Sequence, residues 1–262
     1  MEVKYVENPE LNDKVAEVIE ELKKELVYHF KPRSIILSGS FGRGEGTVIE
    51  ENGKLRFLSD CEIIIVPNFN IFRRGKLRQF SENFYERTGL KPDISGVLLT
   101  FYLFNPLLTR RMKPTIQNYE LKYGSKVIYG KNYLERIPDF KPGDIPIWEG
   151  IRLLLNRMME ALKYFSPENP TREMVYWADK IILACQDVLL ITIGRYHYSY
   201  KARNKMFQEL FTVYFKEMGK SIPNFLKFTT EATNRKLFGF VTFDDPMDYW
   251  FNVLKICDKT FR

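Results

Sequence analysis

Hydrophobic positions along the chain follow two regimes, and the change falls near residue 140. In the first regime, helical and strand periods alternate. Over 11–30, Val15, Val18, Ile19, Leu22, Leu26 and Val27 fall on one face with Glu and Lys opposite, which predicts an amphipathic helix stopped by Lys31-Pro32. Residues 34–37 form a short β-prone run ending at Ser38-Gly39-Ser40, and the turn-rich Phe41-Gly42-Arg43-Gly44-Glu45-Gly46 follows. The segment 47–58 reads as a hairpin, with Val48 and Ile49 ahead of an Asn52-Gly53 turn and Leu55 and Phe57 after it. Next come a strand over 61–66, a helix over 72–88 and a strand over 93–102, then a helix over 112–123 and a short strand over 126–129. The 93–102 strand is almost wholly apolar, as a strand covered on both faces should be.

Pro138, Pro142, Gly143 and Pro146 then make a linker-like stretch. Beyond it only helical patterning recurs, over 148–165, 172–194, 202–219, 222–236 and 246–261. The chain is therefore expected to hold an α/β (α+β) domain with a small mixed sheet over 1–142, then an all-α helical bundle over 143–262. The longest apolar stretch, 181–193, is interrupted by Gln186, Asp187 and Thr192, so it reads as a buried helix. It falls short of the roughly 18 apolar residues a membrane span needs, so no membrane partner is expected.

Composition adds less. A net charge of +7 suits an anionic partner such as a nucleotide or RNA, and equally a solvated basic surface. Cys61, Cys185 and Cys257 are widely spaced without a CxxC pair, which argues against a disulfide framework or structural zinc and makes a reducing cytoplasm the default. The opening MEVKYVENPE carries no apolar signal core.

The chemistry concentrates between residues 34 and 93. In Leu58-Ser59-Asp60-Cys61-Glu62, residues two apart on a strand point the same way, so Asp60 and Glu62 project together. Two carboxylates this close repel unless a cation lies between them. Magnesium prefers such oxygen ligands, shared with substrate phosphates, and a pair of ions can hold both oxygens of an in-line phosphoryl displacement. Gly39 permits close backbone approach, the Ser40 hydroxyl suits a terminal phosphate, and Arg43 suits phosphate charge. Asp93 opens the third strand; if the second and third strands are neighbours it lies beside Asp60 and Glu62, either as a third metal ligand or as the general base for an acceptor hydroxyl. Neither a P-loop nor a dinucleotide fingerprint fits, because no Gly-Lys-Ser/Thr follows the glycines and position 47 is Thr.

Strand, Gly-Ser, spacer, then Asp-x-Glu inside an apolar strand: this order resembles the signature of the DNA-polymerase-β-like nucleotidyltransferases. The Gly39-Ser40-Phe41-Gly42-Arg43 opening and the Ser59-Asp60-Cys61-Glu62 block look most like the kanamycin and other aminoglycoside nucleotidyltransferases. Gly124–Gly130 resembles the Gly-x-x-Leu-Tyr-Gly element that closes their catalytic domain, and the stretch from Gly194 to Lys201 is similar to a Gly-x-x-x-Ser-Lys step. The resemblance implies that Asp60 and Glu62 bind two magnesium ions, with Asp93 beside them. It implies that Gly39, Ser40 and Arg43 bind an NTP, ATP foremost. It also implies transfer of a nucleoside monophosphate to an acceptor hydroxyl, in a homodimer. A small-molecule acceptor is the leading reading. RNA, a protein side chain, and a non-catalytic nucleotide-binding relative are the alternatives. The hairpin 47–58 lengthens the usual spacer, and Glu149 and Glu160 compete with Asp93 as the base.

Other residues read as structural. His29 is expected as a helix-end or surface residue, and His197 in a packed loop. Arg73, Arg74, Lys76 and Arg78 should line a solvated helix face rather than an RNA patch, Cys61 should face the core, and Trp148 and Trp177 should be buried.

Overall fold

The computed structural model describes residues 3–68, 74–94, 103, 105–168, 171–239 and 245–262. The start of the expected 72–88 helix and all but the first two residues of the 93–102 strand lie outside them. The chain divides into two compact units, one of Met1–Lys113, Gln117–Asp139 and Leu237–Gly239, the other of Pro114–Ile116, Phe140–Lys236 and Phe240–Arg262.

In the first unit, helix α1 (Pro9–Phe30) starts two residues earlier than its apolar period, because Asn8 caps it by accepting from the Glu10 amide and Pro9 fills the first turn. Strand β1 (Ser34–Leu37) leads into the short helix α2 (Gly39–Arg43). The expected hairpin forms as β2 (Val48–Glu51) and β3 (Lys54–Phe57). Asn52 and Gly53, with φ of 53° and 74°, make a turn whose twist matches its strands. Then come β4 (Cys61–Val66), α3 (Arg74–Thr88), β5 (Pro92–Ile94), α4 (Pro106–Thr109), α5 (Ile116–Gly124) and β6 (Lys126–Gly130).

The main sheet has four strands in the order β5-β4-β1-β6. Strand β1 runs antiparallel to β4 and β6, and β4 runs parallel to β5, so the sheet is mixed. Val15, Ile19, Leu22 and Leu26 of α1 share one core with Ile35, Leu37, Cys61, Ile63 and Ile65, with Phe84 and Leu90 completing it. Cys61 faces this core as expected, and strand alternation sends Glu62 to the opposite face. The helix expected from 112 begins only at Ile116, after a short helix, α4, that Asn105 caps.

The second unit is helical: α6 (Ile147–Leu162), α7 (Arg172–Thr192), α8 (Tyr200–Tyr214), α9 (Lys216–Ser221), α10 (Phe225–Phe238) and α11 (Pro246–Phe261). Helix α7 is its axis, buried at nearly every position from Ala178 to Ile191, and packs against both α6 and α11. The single helix expected over 202–219 is two, because Phe215 leaves helical geometry at φ −126° and ψ 39°. Trp148 is not in the core: it is 55% exposed, with the Arg152 guanidinium 5.6 Å from its ring. Trp177 does pack at the core's edge. His197 lies in a packed loop, as expected, accepting at Nδ1 from the Ser199 amide and stacking on Tyr198. The Gly194–Lys201 stretch is a helix stop followed by a helix start: Gly194 adopts φ +65°, and Ser199 caps α8 by accepting from the Ala202 amide.

Candidate active site

The β1–β4 pairing sets the geometry. Leu37 lies opposite Ile63, and the next amide, that of Ser38, donates to the Glu62 carbonyl at 2.8 Å. The β1–α2 turn therefore lies beside Glu62. Gly39 turns the chain with φ +61°, and a Cβ there would lie 2.5 Å from Glu62 Oε1. The close approach that this glycine permits is thus to a carboxylate of the protein itself. Gly42 meets a second approach: its Cβ would lie 2.5 Å from the Leu37 carbonyl oxygen and 2.9 Å from that of Gly124.

Strands β4 and β5 are neighbours, and Asp93 pairs in register with Glu62. Asp60 stands two residues before Glu62, and all three acidic residues are exposed. The structure thus brings Asp60, Glu62 and Asp93 to one edge of the sheet. Crowding by the surrounding chain raises the pKa of Glu62 above the ordinary carboxylate value. Arg43 pulls it down, while the negative charges of Glu120, Asp93 and Asp60 add to the rise. Burial, with Glu62, Asp60 and Asp93 close by, also pushes the Cys61 thiol far up, so it stays protonated.

Ser40 is buried in α2. Arg43 ends that helix with a side chain 6% exposed; Nη1 donates to Glu120 Oε2 at 3.0 Å, and Nε lies 3.8 Å from Glu45 Oε2. The guanidinium expected to meet phosphate is therefore held by carboxylates of its own unit. Glu120, on α5, is a member of this group that the sequence pattern does not point to. The two other base candidates have visible structural tasks. Glu149 is buried, accepts from the Ile116 amide at 3.0 Å and pairs with Arg152. Glu160 pairs with Lys163 at the surface. Gly130, the last residue of the Gly124–Gly130 element, adopts φ +76° where a Cβ would collide with the Arg33 carbonyl oxygen.

The donor set is oxygen throughout, which fits a hard divalent cation. Among the described residues no group of three or more His, Cys, Asp or Glu closes on a metal ion by itself. Magnesium bound here would complete its shell with phosphate oxygens and water, its usual habit.

No protein-family profile matches the chain, and no curated protein matches it. Among solved structures, it resembles spectinomycin adenyltransferase AAD(9) from Enterococcus faecialis, determined with ATP and spectinomycin. The TM-score is 0.52 and the identity 15%, over 94% of this chain and 99% of that one. The chain shares the fold of that adenyltransferase. In that fold the mixed sheet and the helices after it account for nearly the whole chain, so the helical unit is part of the likeness.

Proposed function

We propose that this protein is a magnesium-dependent nucleotidyltransferase that moves a nucleoside monophosphate from an NTP, ATP foremost, to a hydroxyl of a small-molecule acceptor. The observation that carries the reading is the register placing Asp93 beside Glu62, with Asp60 two residues away, next to the turn that Gly39 opens. The likeness to AAD(9), an adenyltransferase determined with ATP and a small molecule, supports the reaction class and the acceptor type.

Asp60 and Glu62 would hold the cation, with Asp93 as a further ligand or as the base. Gly39 and Ser40 would position the triphosphate, and Arg43 would add positive charge near them. Magnesium held there would supply positive charge against the phosphates and the departing oxygen. The acceptor oxygen forms a bond to the α-phosphorus in line with the departing oxygen. The bond to pyrophosphate breaks, and the hydroxyl proton passes to Asp93 when that residue is the base. A second acceptor class, RNA, is compatible with the net charge of +7, which does not by itself select it.

Titration of ATP, GTP, CTP and UTP with magnesium, on wild type and on Asp60→Asn/Glu62→Gln, tests the reading. Metal-dependent binding of one nucleotide, lost in the folded double variant, is expected. A folded wild type that binds none of the four sinks it. Pyrophosphate release against panels of hydroxylated small molecules and of RNA then separates the two acceptor classes.

A further inference from the structure

Arg43 lies where two claims on its charge compete. It stands four residues after Gly39 on α2, hence on the same helix face, and the Glu62 carboxylate abuts Gly39. One helical turn rises about 5.4 Å, a distance an arginine side chain spans. Left to itself, a guanidinium at this position would fold onto Glu62 and form the strong two-pronged pair that arginine makes with carboxylates. A carboxylate so engaged is a poor ligand for a cation.

In the structure the guanidinium is drawn elsewhere. Glu120 takes its Nη1 at 3.0 Å, and Glu45 lies 3.8 Å from its Nε. Arg43 and Glu45 have side chains only 6% and 3% exposed, so protein carboxylates and not water decide where this charge rests. Glu120 reaches the spot because α5 ends against α2: it precedes Gly124 by one turn, and the Gly124 carbonyl oxygen lies where a Cβ on Gly42 would nearly touch it.

We propose that Glu120 is a positioning residue: by holding Arg43 it keeps the guanidinium off Glu62 and leaves that carboxylate free for a divalent cation. The inference rests on the metal-site reading above and deepens it.

The test is a mutant cycle read by direct Mn2+ binding, using paramagnetic resonance of the ion in the presence of a non-transferable ATP analogue. Wild type, Asp60→Asn, Glu120→Gln, Arg43→Met and Glu120→Gln/Arg43→Met are compared, each checked for fold by circular dichroism. Glu120→Gln is expected to weaken Mn2+ binding about tenfold, the lower end of what loss of an outer partner of a metal ligand costs. In the Arg43→Met background, where no guanidinium remains to be restrained, the same change should leave Mn2+ affinity within about twofold. Wild-type affinity in Glu120→Gln, or an equal loss in both backgrounds, overturns the proposal. Should Glu120→Gln alone not fold, Glu120→Ala takes its place in both backgrounds of the cycle, with the same expected and overturning outcomes. Wild-type Mn2+ binding that does not depend on Asp60 would remove the metal site itself, an outcome distinct from a failure of Glu120.

Discussion

Gly39 carries two constraints at one position. Its φ of +61° disfavours any side chain, and its missing Cβ leaves the room that the Glu62 carboxylate occupies. Gly39→Ala meets the first as a backbone cost of about 1–2 kcal/mol. The second it meets by pushing aside the end of a flexible side chain, cheap for folding but damaging to a metal ligand. The expected result is a melting temperature lower by several degrees, with magnesium-dependent ATP binding down at least about tenfold. A variant with lowered melting but undiminished binding would detach Gly39 from the site. At this scale the sequence was readable where the chemistry is local. Asp60 and Glu62 stand two residues apart, Gly39 directly follows an apolar strand run, and strand alternation alone places Cys61 on the other face. Asp93 could be placed only on condition that β4 and β5 are neighbours, which the parallel register satisfies. Glu120 left no trace, since it meets Arg43 across 77 residues and nothing in the α5 pattern marks it. Glu149, a competing base candidate in the sequence, has the Ile116 amide and Arg152 as partners, contacts that its sequence neighbourhood does not disclose.

Among the elements, α7 shows how buried charge is managed. Asp179 receives Arg235 through Nε and Nη2, both at 2.8 Å, and the Tyr249 hydroxyl at 2.6 Å, which ties α7 to α10 and α11. Arg235→Met removes one charge and strands the other in the core, which should cost about 3–5 kcal/mol. Asp179→Leu/Arg235→Met strands neither and should be far less destabilising than Arg235→Met. Tyr249→Phe, losing the hydroxyl that donates to Asp179 and accepts from Arg235 at 3.1 Å, should cost about 2 kcal/mol. Urea midpoints of the helical unit, followed by circular dichroism, check all three, and a double variant as unstable as the single one would contradict the account. Periodicity located the helices well and their breaks poorly, for a physical reason. Phe207, Phe211, Phe215 and Met218 keep helical spacing straight through the break at Phe215, and all pack into one core. Apolar spacing reports which side chains are buried and does not register a change of backbone direction between them. The late start of α5 is hidden similarly, its first amide being met by Glu149, 33 residues away.

For the molecule as a whole, two separate cores and three buried thiols give a measurement that links stability to function. One core gathers around α1 and the sheet, the other around α7. Cys61 belongs to the first, Cys185 and Cys257 to the second, and all three are buried and free. The native protein should therefore leave a thiol reagent essentially unreacted. Units with their own cores lose structure in their own transitions when the contacts between them are weaker than those within. Rising urea should accordingly release thiols in two steps, one of a single thiol and one of two. Every residue assigned here to nucleotide and metal lies in the first unit. Magnesium with ATP should thus shift the single-thiol step alone, by about 2.7 kcal/mol at a hundredfold excess over the dissociation constant. Release of all three thiols in one step would show that the two cores unfold together. A shift of the two-thiol step by magnesium and ATP would show that the helical unit contributes binding groups beyond Asp60, Glu62 and Asp93.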